Sequence, residues 1–204
     1  LHFSQREEAE KRHFSGYCWP ETAKIVDVPR DGISSRRVEE EIRAINPDGI
    51  AVMGCGIIQK NVLKLSGNIV NAHQGLSPYY RGSGTNFWPF FNEEPEYVGM
   101  TAHYIDPGVD TGEIIAHGRP EISIGDTLHD IGCNTIKVSA EIISRIFTLL
   151  EERPVSGIAQ WSEGKEYTRK DFTIAAVDKV QQLIETGLIS RYLNRKKEHK
   201  TSVR

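Results

Sequence analysis

An α/β fold, three layers thick and built on an open, mostly parallel sheet, is predicted by three features of the sequence. A short apolar run at 50–53 and the segment 67–71 read as buried strands, and a helical segment at 57–65 lies between them, as in a βα unit. Each run is followed by a glycine-bearing loop, Gly54-Cys55-Gly56 after the first and 74–83 after the second. Such loops at the carboxyl ends of strands are where open α/β sheets bind ligands. The strongest helix of the chain opens at Gly125-Asp126-Thr127, with Asp126 as N-cap and an apolar stripe of Leu128, Ile131, Ile142, Ile146 and Leu149.

The remaining elements follow in order. Residues 4–14 are dense in Glu, Lys and Arg and predict a solvated helix, and Trp19-Pro20 interrupts before a short strand at 24–28. Ser34 or Ser35 caps a helix through Ile45, in which Val38, Ile42 and Ile45 recur at helical spacing. Asn46-Pro47-Asp48-Gly49 is turn chemistry. Residues 85–91 predict a helical turn, and 97–105 and 113–116 predict two strands joined through Asp106-Pro107-Gly108. Further on, 159–161 and 166–168 read as a strand pair about Glu163-Gly164. Residues 175–185 and 189–193 read as helices, and the basic tail from Arg195 to Arg204 as frayed.

The chain has 204 residues, 38% hydrophobic and 26% charged, enough for one domain with a real core. A net charge of −3 gives no electrostatic case for nucleic acid or an anionic membrane as partner. No apolar run is long enough to span a bilayer, and the charged start is unlike a secretory signal. Three scattered cysteines, Cys18, Cys55 and Cys133, suit reduced thiols, so the expected location is the cytoplasm.

The chemistry is concentrated in two segments. Asn71-Ala72-His73 runs into Gln74-Gly75-Leu76-Ser77-Pro78-Tyr79-Tyr80-Arg81-Gly82, and Asp110 stands 39 positions after Asn71, within Gly108-Val109-Asp110-Thr111-Gly112. An amide, an imidazole and a carboxylate suit acyl transfer to an amine. The amide donates to a developing oxyanion, the imidazole carries a proton, and the acid orients the imidazole and raises its pKa. Plain structural roles stand beside these. Asn71 would cap its strand, and His103 would pack within the strand at 101–105. Arg81 would either bind a substrate anion or stack on Tyr79 or Tyr80. Trp88 with Phe87, Phe90 and Phe91 reads as core or interface, and Cys55 as a small packing residue.

On these residues the chain resembles the catalytic domain of the folate-dependent formyltransferases, which act on glycinamide ribonucleotide, methionyl-tRNA or sugar nucleotides. The shared pattern is Asn71, His73, Leu76, Pro78, Tyr80-Arg81-Gly82 and Val109-Asp110-Thr111-Gly112, covering roughly residues 47–150. The resemblance implies a Rossmann-like sheet and transfer of a formyl group from 10-formyltetrahydrofolate to a primary amine, with no metal. It implies Asn71, His73 and Asp110 as catalytic residues. It places Ile57, Ile58, Gln59, Gly108 and Val109 at the folate, and Gly54, Tyr80, Arg81 and His103 at the substrate. His103, seven residues before Asp110, is similar to a histidine of the glycinamide ribonucleotide branch.

Three departures accompany the match. The family's opening strand and glycine-rich phosphate loop have no counterpart, so the first βα unit is expected to be missing. Gln74 stands where proline is common. The chain ends without the extra domain of methionyl-tRNA formyltransferases, which argues against tRNA as acceptor. The expected organisation is a catalytic domain over 1–170 and a helical extension over 171–204, with a small amine substrate, an amino-sugar nucleotide before glycinamide ribonucleotide, and a homodimer as the family expectation. Alternatives are a non-catalytic folate- or nucleotide-binding relative, a formyl-folate hydrolase, and a metal-dependent hydrolase using His73, His103 and Asp110.

Overall fold

The sheet is built around β2, in which Val70 and Ala72 face one side and Asn71 and His73 the other. A computed structural model of the chain describes residues 2–29 and 31–202. The chain first forms α1 (His2–Phe14), α2 (Arg36–Ile45), β1 (Ile50–Val52), α3 (Lys60–Leu63), β2 (Ile69–His73) and β3 (Tyr80–Gly82). Helix α4 (Trp88–Phe91), a 3-10 turn (Pro95–Tyr97), β4 (Met100–Tyr104) and β5 (Ile114–Gly118) follow. The last third holds α5 (Leu128–Glu152), β6 (Lys165–Tyr167), α6 (Ile174–Glu185) and α7 (Leu188–Ser202).

The α/β class expected from the sequence holds. The main sheet has the order β1-β2-β4-β5, with β1 and β2 parallel around α3. Parallel pairing is narrower than expected: β2/β4 and β4/β5 are antiparallel, while a small second sheet pairs β3 with β6 in parallel. The short link between Tyr104 and Ile114 accounts for the second of these. A connection that short closes a hairpin, whereas a parallel neighbour needs a crossover of a dozen or more residues.

Side chains of a strand alternate between faces. Val70 and Ala72 of β2, with Met100 and Ala102 of β4, form one apolar cluster with Ile146, Ile142 and Val138 of α5. Burying Val70 and Met100 completely contributes about 1.5–3 kcal/mol each. Asn71, His73, Thr101 and His103 therefore share the opposite face, where Asn71 pairs with His103 and His73 with Thr101. A second cluster joins Tyr80, Phe87, Trp88 and Phe90 to Ile131 of α5, Ala176 and Val180 of α6, and Leu188 and Ile189 of α7. Trp88 is thus core, as its plain reading held.

Several boundaries differ from the sequence reading. Helix α1 is not merely solvated: Ala9 is fully buried, and Arg12 and His13 reach Asp130 of α5 at 2.9 and 3.0 Å. The N-cap of α5 is Thr127 rather than Asp126, because Thr127 and Asp130 form a reciprocal capping box. Residues 24–28 form no strand, having no ladder partner among the described residues. The helix expected over 57–65 is confined to α3. Residues 159–161 do not pair with 166–168. Ile158 instead bridges to Ile114, and β6 pairs with β3, a strand within the segment read as loop. The tail is helical through Ser202 rather than frayed, and Arg204 lies outside the described residues. No helix among the described residues is long and apolar enough to cross a membrane.

Candidate active site

Asp110 is the hub of the polar sheet face. Its Oδ1 accepts from Asn71 Nδ2 at 3.2 Å and lies 3.5 Å from His103 Nε2. Its Oδ2 accepts from the Gly82 backbone N–H at 2.9 Å and lies 3.3 Å from His73 Nδ1. The three polar residues expected to converge from distant segments do so, and His103 joins them. Asn71 and His73 reach this point from within β2 rather than from a loop beyond it, so the site lies on the sheet's face and not only at its edge.

Hydrogen-bond partners fix most of the protons. His73 Nε2 lies 3.0 Å from Tyr80 O, and a carbonyl only accepts, so Nε2 carries a proton. His103 Nδ1 is likewise protonated toward Tyr104 O at 2.8 Å, which leaves its Nε2 to accept from Asn71 Nδ2 at 3.1 Å. Both N–H groups of Asn71 are therefore engaged, one by His103 and one by Asp110. A register shift between Ala102 and His103 in the β4/β5 ladder sits at this point, a common device for aiming a side chain into a site.

Burial lowers the His73 pKa, and the opposing pull of the Asp110 charge does not restore it. The sequence reading expected Asp110 to raise it. The carboxylate does act in that direction, but desolvation of a side chain only 6% exposed is larger. Asp110 goes the other way. Burial alone would raise it, yet the polar groups of His103, His73 and the Gly82 N–H around it hold it below its ordinary value. The resting pair is thus a neutral imidazole beside a carboxylate.

Both shifts weaken the fold in acid. The unfolded chain takes up a proton at His73 below about pH 6.5, while the buried imidazole resists it, so stability falls as pH drops through that value. Asp110 adds its own loss only lower, below the usual carboxylate range. Urea unfolding at pH 7.5 and 5.5 is expected to show a smaller acid loss in His73→Asn than in the parent chain. Equal losses would mean His73 is not the titrating group.

The other predicted residues fall into two groups. Gly54, with φ of +64°, opens the segment that leaves β1, and Ile57 is 82% exposed while Ile58 is buried. Gln59 is exposed and its backbone N–H donates to Ser34 Oγ. Gly108 donates its N–H to Asp106 Oδ1, and Val109 is exposed. Because β1 and β2 are parallel and Val52 pairs with Asn71, this segment leaves the sheet at the same end as Gln74. Gln74 turns to Ser139 of α5 at 2.8 Å.

Tyr80 is held inside the fold. Its ring is buried, its hydroxyl donates to Glu94, and its carbonyl is what holds His73. Arg81 is not stacked on a neighbouring tyrosine among the described contacts, and its Nε is buried without a hydrogen-bond partner. Gly75 is required by crowding, since a Cβ there would come within 2.7 Å of His73 Nε2. Sequence reasoning did not single out Gln160, which donates to Asp110 O at 2.7 Å and Gly112 O at 2.9 Å, and no local pattern marks it. Among the described residues no group of three or more His, Cys, Asp and Glu is placed to hold a metal ion. One ring nitrogen of each histidine is taken by a backbone carbonyl, and the other faces the Asp110 carboxylate.

The sequence profile of the family described as formyl transferase matches residues 18–147, more than half of the chain. The chain belongs to the formyl transferase family. A methionyl-tRNA formyltransferase of Alkaliphilus oremlandii is 31% identical over 125 residues, 60% of this chain and 40% of that protein. The chain therefore spans about 40% of the length of such relatives. Among solved structures, the formyltransferase PseJ of Anoxybacillus kamchatkensis, bound to a UDP-formamido sugar and tetrahydrofolate, superposes with a TM-score of 0.57. It is 22% identical, and the match covers 89% of this chain and 92% of PseJ, so the likeness establishes the fold. An N-formyltransferase of Helicobacter canadensis, in complex with folinic acid and dTDP-3-aminofucose, is 27% identical over 58% of this chain and 44% of its own, with a TM-score of 0.51.

Proposed function

We propose that this chain transfers a formyl group from 10-formyltetrahydrofolate to a primary amine of a small substrate, and that the acceptor is an amino sugar carried on a nucleotide. The observation that carries the reading is the meeting of Asn71, His73 and His103 on the Asp110 carboxylate, at positions that fall inside the family match. The folate, when bound, supplies the formyl group. The segment from Gly54 to Gln59 fits a flat heterocycle, being glycine-opened and exposed except at Ile58, with the apolar side chains of Met53 and Ile57 in solvent. Gly108 and Val109 border the Asp110 loop on the same grounds.

Each residue then has a defined task. The attacking amine forms a bond to the formyl carbon, the bond to the folate nitrogen breaks, and one proton passes from amine to leaving group. Asn71 donates to the oxygen that gains charge, turning one N–H away from its resting partner. His73 can take the proton only at Nδ1, because Nε2 is tied to Tyr80 O. There Asp110 neutralises the imidazolium. Arg81, with a buried donor lacking a partner, is assigned to the acceptor's anionic group.

The sugar-nucleotide acceptor is supported by the ligands of the PseJ and Helicobacter structures, and by the extent of the PseJ match over both chains. A cytoplasmic location accords with the free thiols of Cys18, Cys55 and Cys133. The test is release of tetrahydrofolate from 10-formyltetrahydrofolate with a panel of dTDP- and UDP-amino sugars, glycinamide ribonucleotide and methionyl-tRNA. Turnover with an amino-sugar nucleotide is expected. Turnover with only another amine would overturn the acceptor, and formate release without amine would make the chain a hydrolase. Folate binding without turnover would make it a binding protein.

A further inference from the structure

We propose that Gln160 is a positioning residue of the active site, whose carboxamide nitrogen clamps the Asp110 loop by donating one N–H to Asp110 O and the other to Gly112 O. It lies beyond the segment that the family profile matches, and it acts through the backbone, not on the reacting atoms. Its effect on catalysis rests on the formyl-transfer reading above. Its effect on the site's geometry does not.

The orientation of the amide is determined by its partners. Both contacts are carbonyl oxygens, which only accept, so the NH₂ end must face the loop. The other end, Gln160 Oε1, is then buried with no hydrogen-bond partner among the described residues. A buried amide oxygen left unpaired is unfavourable, and the chain tolerates it while using both donors on two carbonyls that flank one residue, Thr111. Gln160 is delivered to this place by the reciprocal backbone bonds of Ile114 and Ile158, 2.8 Å each, which lay the segment after α5 along the start of β5.

The loop needs such a clamp. Asp110 is a non-glycine residue with φ of 51°, an uncommon conformation for a residue with a side chain, and its surroundings hold it there. Thr111 Oγ1 is held by Asp106 Oδ1 at 2.7 Å on one side, and the Gln160 fork holds the two carbonyls on either side of Thr111. Without the fork, Asp110 can relax toward negative φ, and its carboxylate turns away from Gly82, Asn71 and His73. The charged or titratable groups that face His73 are Asp110 and His103, so a displaced Asp110 removes the one charge that draws a proton toward His73.

The test uses the full chain with Gln160→Met, which keeps length and volume without donors, and Gln160→Glu, which keeps shape and places an acceptor where the NH₂ stood. Circular dichroism and thermal unfolding report the fold, and NMR of the imidazole C–H resonances reports the His73 titration. In both variants His73 is expected to titrate lower by about 0.5 pH or more, a fraction of what a neighbouring opposite charge supplies. With an accepted amine, kcat should fall about tenfold or more while KM for the formyl donor changes less than about twofold. An unchanged His73 titration in a folded variant would overturn the proposal. Loss of fold in both variants would also overturn it, making Gln160 a support of the whole domain. A lowered titration in a chain that formylates no amine would leave the clamp standing and remove the reaction.

Discussion

Asp110→Ala is expected to slow formyl transfer by at least about a thousandfold, the larger end of what loss of one preorganised polar group does at an acyl-transfer centre. The reason is that one carboxylate orients three groups at once. Asn71 loses an acceptor, His73 loses the charge that stabilises its protonated form, and the Gly82 N–H is left without its partner. Stability should fall too, by about 1–3 kcal/mol for the unsatisfied buried donor, so this residue is not a bystander to the fold as a loop acid would be. Asp110→Asn separates the two effects, since asparagine tolerates positive φ and keeps an oxygen for Gly82. Its fold should recover while its rate stays low. Rates within about tenfold of the parent for both variants would remove Asp110 from the mechanism.

Gly82→Ala is expected to damage the fold and the candidate site together. Gly82 has φ of +89°, and a Cβ there would stand 2.1 Å from Tyr167 O, a backbone atom that cannot swing aside. The left-handed backbone alone costs about 1–3 kcal/mol for a residue with a side chain. The clash parts β3 from β6, and the Gly82 N–H moves off Asp110. A drop in melting temperature on the order of 10 °C is expected for a domain this size, together with loss of turnover even below the melting range. Melting unchanged to within about 2 °C would mean that the β3/β6 pairing does not hold the site.

How far the sequence can be read depends on where the information lies. The strand at 67–71 was legible, but its run through His73 was not, and it is that run that sets Val70 and Ala72 in the core and Asn71 and His73 on the candidate site's face. Asp110 was legible because an acid among glycines has a recognisable neighbourhood. Gln160 was not, because its role depends on geometry set by Ile114 and Ile158, residues that carry no motif. Strand β3 was equally hidden, and β6, read as a strand at 166–168, was given the wrong partner. Each has only three residues, and they pair across 85 positions, so no local pattern announces the pairing. The fall in the His73 pKa could not be read either, since a sequence names the neighbouring charge but not the depth of burial that outweighs it.

The pairing of β3 with β6 bears on the order in which the protein becomes competent. Asn71, His73 and Asp110 leave the ribosome long before Lys165 and Tyr167, which give β3 its partner strand. Until that late stretch emerges and docks, Tyr80 has no ladder to hold its carbonyl against His73. A nascent chain therefore carries all its reactive groups without their alignment until that stretch has docked.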